Sequence, residues 1–150
     1  MRVGLYGGTF DPIHNGHVHV IEQLIKRNIV DHLLVVPAGQ PRLREHEPKA
    51  TGAERRQMCQ LAINSLVPEI KSKVEVNPIE ILRQGPSYTI DTLRKLAARY
   101  PKHRFVWLMG SDNLAQLHRW RDWRRIARTM PIAVIARPGY DGSAAASPAA

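Results

Sequence analysis

At 150 residues the chain has room for one ordinary domain with a real core, and its 43% hydrophobic content without long polar repeats argues for a globular protein. No run of about 18 apolar residues is present that would span a bilayer as a helix, and the single cysteine, Cys59, excludes an intramolecular disulfide and an all-cysteine metal site. The 22 lysines and arginines against 13 acidic residues give a formal charge of +9, which favours anionic partners such as nucleotides, polyphosphates or nucleic acid without choosing among them.

Arg2 to Tyr6 is a short apolar segment closed by Gly7-Gly8, the pattern of a buried strand leading into a tight turn. It begins without the longer apolar region and small-residue cleavage site of a signal peptide, so the chain reads as soluble and cytoplasmic. A helix is predicted from about Asn15 to Lys26, with Val18, Ile21, Leu24 and Ile25 on one face and Asn15 as its cap. His32 to Pro37 is the next strand. After a polar loop, Thr51 can cap a helix through about Ser65, with Met58, Leu61 and Ala62 on its inner side and Cys59 in a packing role. Val74 to Ile79 is a weaker strand candidate, and Thr89 to Arg99 is helical through Ile90, Leu93, Leu96 and Ala97. Arg104 to Met109 is a strongly apolar strand stopping at Gly110, and Pro131 to Ala136 is the last strand. Strands alternating with helices imply an α/β fold of about five strands, a parallel sheet covered on both faces that binds ligands at the carboxyl ends of its strands. The domain is expected over residues 1–138, followed by a flexible Gly, Ser, Ala and Pro-rich tail over 139–150.

The sharpest chemical signal is Gly7-Gly8-Thr9-Phe10-Asp11-Pro12-Ile13-His14-Asn15-Gly16-His17, placed between the first strand and the first helix. The paired glycines let backbone pass close to a ligand, and the helix start aims unpaired N–H groups and a partial positive charge into the same crevice. His14 and His17, three apart, can both face that crevice and donate hydrogen bonds to phosphoryl oxygens. Either imidazole can instead cap the helix or pack, and a catalytic zinc would want three protein ligands, so no metal site is assigned to the protein.

This motif resembles that of the HxGH nucleotidyltransferase superfamily, which includes nucleotide, pantetheine-phosphate and lipid-precursor transferases. The resemblance implies a Rossmann-like sheet, ATP bound with Mg²⁺ that is held mainly by the phosphates, and release of pyrophosphate. It implies that His14 and His17 contact the triphosphate and that Gly7, Gly8, Thr9 and Phe10 line the nucleotide crevice.

Two later segments bear on the acceptor: Gly85-Pro86-Ser87-Tyr88-Thr89-Ile90-Asp91-Thr92-Leu93, with Ser87 or Thr89 available as helix caps, and Gly110-Ser111-Asp112-Asn113-Leu114 followed by His118-Arg119-Trp120-Arg121-Asp122-Trp123. Both resemble stretches of the bacterial nicotinate-nucleotide adenylyltransferases. That likeness implies that Thr89 contacts the nicotinate carboxylate, that Trp120 stacks on the pyridine ring, and that Gly110 and Asp112 belong to the nucleotide site. A flat aromatic acid wants an aromatic face and N–H donors, which agrees, although Trp107 and Trp123 compete with Trp120 for the role. The same likeness places the loop from Gly39 to Lys49 by the acceptor nucleotide and implies that Arg44, His46 or Lys49 grips its phosphate, with a mobile surface loop as the alternative. Arg119, Arg121, Arg124, Arg125 and Arg128 read as a solvated face, with phosphate or RNA contact as the remainder.

The implied reaction is attack by a phosphate oxygen of nicotinate mononucleotide on the α-phosphorus of ATP. The implied partners are these two small molecules, with no membrane and no nucleic acid, and a homo-oligomer left open. Members of the family carry a later ISSTxxR-like motif that holds ATP phosphates, and Ser143 and Ser147 do not match it. Either the sequence is a truncated form or the missing phosphate contacts make it weak or inactive, and apolar surface exposed beside the last strand is expected to give poor stability. The rival readings are pantetheine-phosphate adenylyltransferase, which shares the first motif, and a non-catalytic basic RNA-binding or scaffold module.

Overall fold

The computed structural model describes residues 1–39, 50–83, 88–110 and 123–135. Over these the chain forms β1 (Arg2–Gly8), α1 (Asn15–Lys26), β2 (His32–Pro37), α2 (Gly52–Asn64), α3 (Pro68–Lys71), β3 (Val74–Val76), α4 (Ile79–Leu82), α5 (Thr89–Arg99), β4 (Arg104–Gly110), α6 (Trp123–Thr129) and β5 (Ile132–Ile135). The five strands make one sheet in the order β3-β2-β1-β4-β5, and every pairing is parallel.

The period of two along the strands sorts side chains into two apolar layers. Tyr6, Leu33, Val35, Val74 and Leu108 meet Ile21, Leu24 and Ile25 of α1 and Cys59 and Ile63 of α2 on one face. Val3, Leu5, Leu34, Val36, Phe105, Trp107 and Met109 meet Ile90, Leu93 and Leu96 of α5 and Ile126 of α6 on the other. Crossovers between parallel strands are right-handed, so helices change face when the strand order changes direction. Here the order runs outward from β1 to β3 and then restarts on the far side of β1 with β4. That reversal opens a crevice at the carboxyl ends of β1 and β4, where Gly7-Gly8 and Gly110 lie.

Three local expectations change. The inner stripe of α2 is Arg55, Cys59 and Ile63, whereas Leu61 is 61% exposed and Met58 and Ala62 are only half-buried. A guanidinium heads the stripe, so apolar residues alone misplace the face. Strand β3 stops at Val76 because the Asn77 side chain accepts a hydrogen bond from Ile79 N–H at 3.0 Å, which turns the chain into α4. The cap of α1 is His14, with Asn15 as the first helical residue. Cys59 is wholly buried, and that burial pushes its thiol up to about 12, which leaves it inert at neutral pH.

Gly7 has a packing reason to be glycine, since a Cβ there would lie 2.3 Å from Cη2 of the Trp107 indole, a ring locked in the core at 3% exposure. Gly7→Ala is expected to lower unfolding stability by about 1–3 kcal/mol in chemical denaturation. The same change in a Trp107→Phe background should cost clearly less, and an equal cost in both backgrounds would contradict the packing.

Candidate active site

The turn after β1 is built over the Phe10 ring. Phe10 has φ 52°, a left-handed backbone that a residue with Cβ holds only when its surroundings fix it. Its ring is buried, at 5.4 Å edge-on to Tyr6 and 5.0 Å edge-on to His17, and a Cβ at Gly8 would lie 3.0 Å from it. Phe10 therefore offers the crevice backbone only, and its side chain supports His17 from within the core.

Three successive attachments hold the turn. Gly8 O accepts from Ala38 N–H at 2.8 Å, Thr9 O accepts from Arg55 Nη1 at 3.0 Å, and Asp11 Oδ1 accepts from Ala50 N–H at 3.1 Å. Arg55 also donates through Nη1 to Ala38 O at 2.7 Å and through Nε to Ala50 O at 3.3 Å.

At the start of α1 the two histidines cap the helix reciprocally. His14 Nδ1 accepts from Gly16 N–H at 3.0 Å, and His14 N–H donates to His17 Nδ1 at 3.1 Å. The rings lie 3.8 Å apart, centroid to centroid, inclined by 33°. A Cβ at Gly16 would lie 2.8 Å from His14 Cε1, so the glycine between the histidines makes room for the folded-back imidazole. An Nδ1 that accepts a backbone N–H carries no proton, which in a neutral imidazole places the hydrogen on Nε2. Each ring thus serves the helix through Nδ1 and carries its hydrogen on Nε2. The capping and phosphate-binding readings of these residues are compatible, because they use different atoms.

His14 is exposed and His17 half-buried at the same edge of the sheet as Gly7-Gly8. His19, the next histidine, is exposed, and among the described residues no three His, Cys, Asp or Glu side chains are grouped to hold a metal ion.

Of the candidate acceptor residues, Thr89 is the half-buried first residue of α5, whose N-cap is Tyr88 without a side-chain cap bond. Thr89 is thus no cap itself. Behind it, buried Glu80 accepts from Thr92 Oγ1 through Oε2 at 3.1 Å and from Gly39 N–H through Oε1 at 3.5 Å, while Arg83 Nη1 donates to Thr92 Oγ1 at 3.2 Å. This network ties the start of α5 to the end of β2. Trp107 lies under Gly7, and its buried indole N–H has no acceptor among the described residues. Trp123 is half-buried against the α5 face, and Arg124, Arg125 and Arg128 are exposed. Arg44, His46, Lys49, Ser87, Asp112, Arg119, Trp120, Arg121, Ser143 and Ser147 lie outside the described residues.

The structure therefore brings together Gly7, Gly8, Thr9, Phe10, His14 and His17, with Gly110 at the end of the neighbouring strand. Sequence reasoning missed Arg55, Glu80 and Thr92. The available signal for Arg55 was its spacing, four and eight residues before buried Cys59 and Ile63.

The cytidylyltransferase-like family matches this chain over residues 5–148. A protein of Erythrobacter litoralis named "probable nicotinate-nucleotide adenylyltransferase" is 45% identical over 150 residues, covering 99% of this chain and 65% of its own length. One of the same name from Ruegeria pomeroyi is 47% identical, covering 99% of this chain and 66% of its own. The chain thus spans about two thirds of the length of these relatives. A solved nicotinic acid mononucleotide adenylyltransferase of Plasmodium falciparum, complexed with NaAD, superposes with a TM-score of 0.73 at 20% identity, over 97% of this chain and 80% of that one. At that identity the likeness is one of fold.

His14→Ala is expected to cost about 1 kcal/mol of stability through loss of the cap. His14→Asn, which restores a short capping acceptor, should recover most of it in thermal or urea unfolding; equal stability of all three proteins would contradict the capping geometry.

Proposed function

The chain belongs to the cytidylyltransferase-like family, and on that premise we propose that it transfers the adenylyl group of ATP to nicotinate mononucleotide, giving nicotinate adenine dinucleotide and pyrophosphate. The observation that carries the reading is the pair of imidazoles at the start of α1, each with Nδ1 accepting a backbone N–H, packed together beside the glycine turn. Such a pair suits anionic oxygens and offers no nucleophile of its own.

A phosphate monoester needs no protein base, because its second pKa is near 6 and it is already ionised at neutral pH. Its oxygen forms a bond to the α-phosphorus while the bond from that phosphorus to the bridging oxygen breaks, and the electron pair leaves on pyrophosphate. The protein's task is to hold two anions in line and to meet the charge that develops on the leaving group. In this reading His14 and His17 donate to the triphosphate, and Gly7, Gly8, Thr9 and Phe10 present backbone to the nucleotide, with Gly110 and Asp112 on the β4 side. Thr89 and Trp120 take the pyridine carboxylate and ring, and Arg44, His46 or Lys49 the acceptor phosphate. Mg²⁺ would enter on the triphosphate and supply charge neutralisation there. The names of the relatives support the choice of acceptor, as do the segments around Thr89 and Trp120.

The test offers the full chain ATP and Mg²⁺ with nicotinate mononucleotide or with phosphopantetheine and follows pyrophosphate. Nicotinate mononucleotide should be preferred in kcat/KM by at least about a hundredfold; turnover of phosphopantetheine alone would defeat the assignment. His14→Asn should stay folded and lose about a hundredfold in kcat, since one transition-state donor is removed while the cap remains. Wild-type rates from that variant would refute the donor role.

A further inference from the structure

Arg55 is only 3% exposed, on the inner stripe of α2 that otherwise consists of Cys59 and Ile63. A buried guanidinium costs desolvation that an aliphatic side chain would avoid, so its hydrogen bonds indicate what it contributes. Three of them go to main-chain carbonyls of three separate segments: Thr9 after β1, Ala38 after β2, and Ala50 before α2. The Thr9 carbonyl belongs to the peptide that enters Phe10, the residue held at φ 52°. The Phe10 ring in turn meets His17 edge-on at 5.0 Å.

We propose that Arg55 is a positioning residue for the adenylyl-transfer site, fixing the Thr9–Phe10 peptide and through the Phe10 ring the imidazole of His17. It lies beneath the turn and acts through it. By binding Ala38 and Ala50 with the same guanidinium, it references the turn to the ends of β2 and α2, so that His17 is placed against the sheet as well as against its own helix. Arg is suited to this because its fixed fork of donors reaches several carbonyls at once, whereas a lysine ammonium on a flexible stem does not impose that geometry. The kinetic part of this inference rests on the adenylyl-transfer reading, and the structural part does not.

The experiment uses the full chain with labelled histidines and compares wild type, Arg55→Lys, Phe10→Leu and the double variant. Thermal unfolding establishes that each is folded, NMR reads the His17 ring protons, which sense the Phe10 ring, and pyrophosphate release gives kcat and KM. Arg55→Lys should move the His17 ring resonances and lower kcat by about ten- to a hundredfold with KM for ATP changed much less. Phe10→Leu should do the same, and the double variant should lose no more than the worse single, because both act along one route. His17 resonances unchanged in folded Arg55→Lys, or losses that multiply in the double variant, would overturn the proposal. Should Arg55→Lys fail to fold, Phe10→Leu still decides through turnover, because loss of the ring shifts the His17 protons by itself whereas a wild-type kcat there removes the route. A wild-type chain without turnover, but with His17 displaced in both variants, would sink the enzymatic reading and leave the positioning role standing.

Discussion

An imidazole that caps a helix through Nδ1 carries its hydrogen on Nε2, and the rest of this site is arranged around that division of labour. The backbone N–H groups of Gly16 and His14 select which nitrogen of each ring carries the hydrogen. The helix start gains two of its missing acceptors, and ring packing at 3.8 Å holds both imidazoles at the mouth of the turn.

That arrangement is demanding sterically, and the surrounding glycines reflect it. Gly16 leaves room for the His14 ring, Gly8 for the Phe10 ring, and Gly7 for the Trp107 indole. The last of these connects the site to the opposite face of the sheet, because Trp107 belongs to the α5 and α6 layer whereas Phe10 and Tyr6 belong to the α1 and α2 layer. The turn after β1 is thus gripped from both layers, and Arg55 adds polar ties to the carbonyls of Thr9, Ala38 and Ala50. In the proposed reaction, a turn preorganised in this way would spend little reorganisation at the moment of transfer.

Much of this was legible in the sequence wherever the information is local. The strands from Arg2 and His32 and the helices from Asn15 and Thr89 begin where periodicity places them, because each buries a regular apolar stripe. The turn between β1 and α1 was legible as a candidate site because its residues are contiguous between Gly7 and His17. Where tertiary contacts decide, local reasoning misled. Asn15 is the better cap by propensity, yet His14 takes the position because its ring is packed against His17. The inner face of α2 was misplaced because its leading residue, Arg55, is charged, and its partners Thr9 and Ala38 are 46 and 17 residues away. Glu80 and Thr92 were hidden for the same reason, as a buried pair joining two helices that the sequence presents as unrelated.

The central claim is that both rings hold their hydrogen on Nε2 and turn it toward a triphosphate. Nitrogen-15 NMR of the histidine-labelled full chain, with and without a non-hydrolysable ATP analogue, reads this directly. The account predicts the Nε2–H tautomer for His14 and His17 in the free protein and a shift of both Nε2 resonances, with Nδ1 little changed, when the analogue binds. Nδ1–H tautomers, or saturable binding of the analogue that leaves both Nε2 signals where they were, would contradict it.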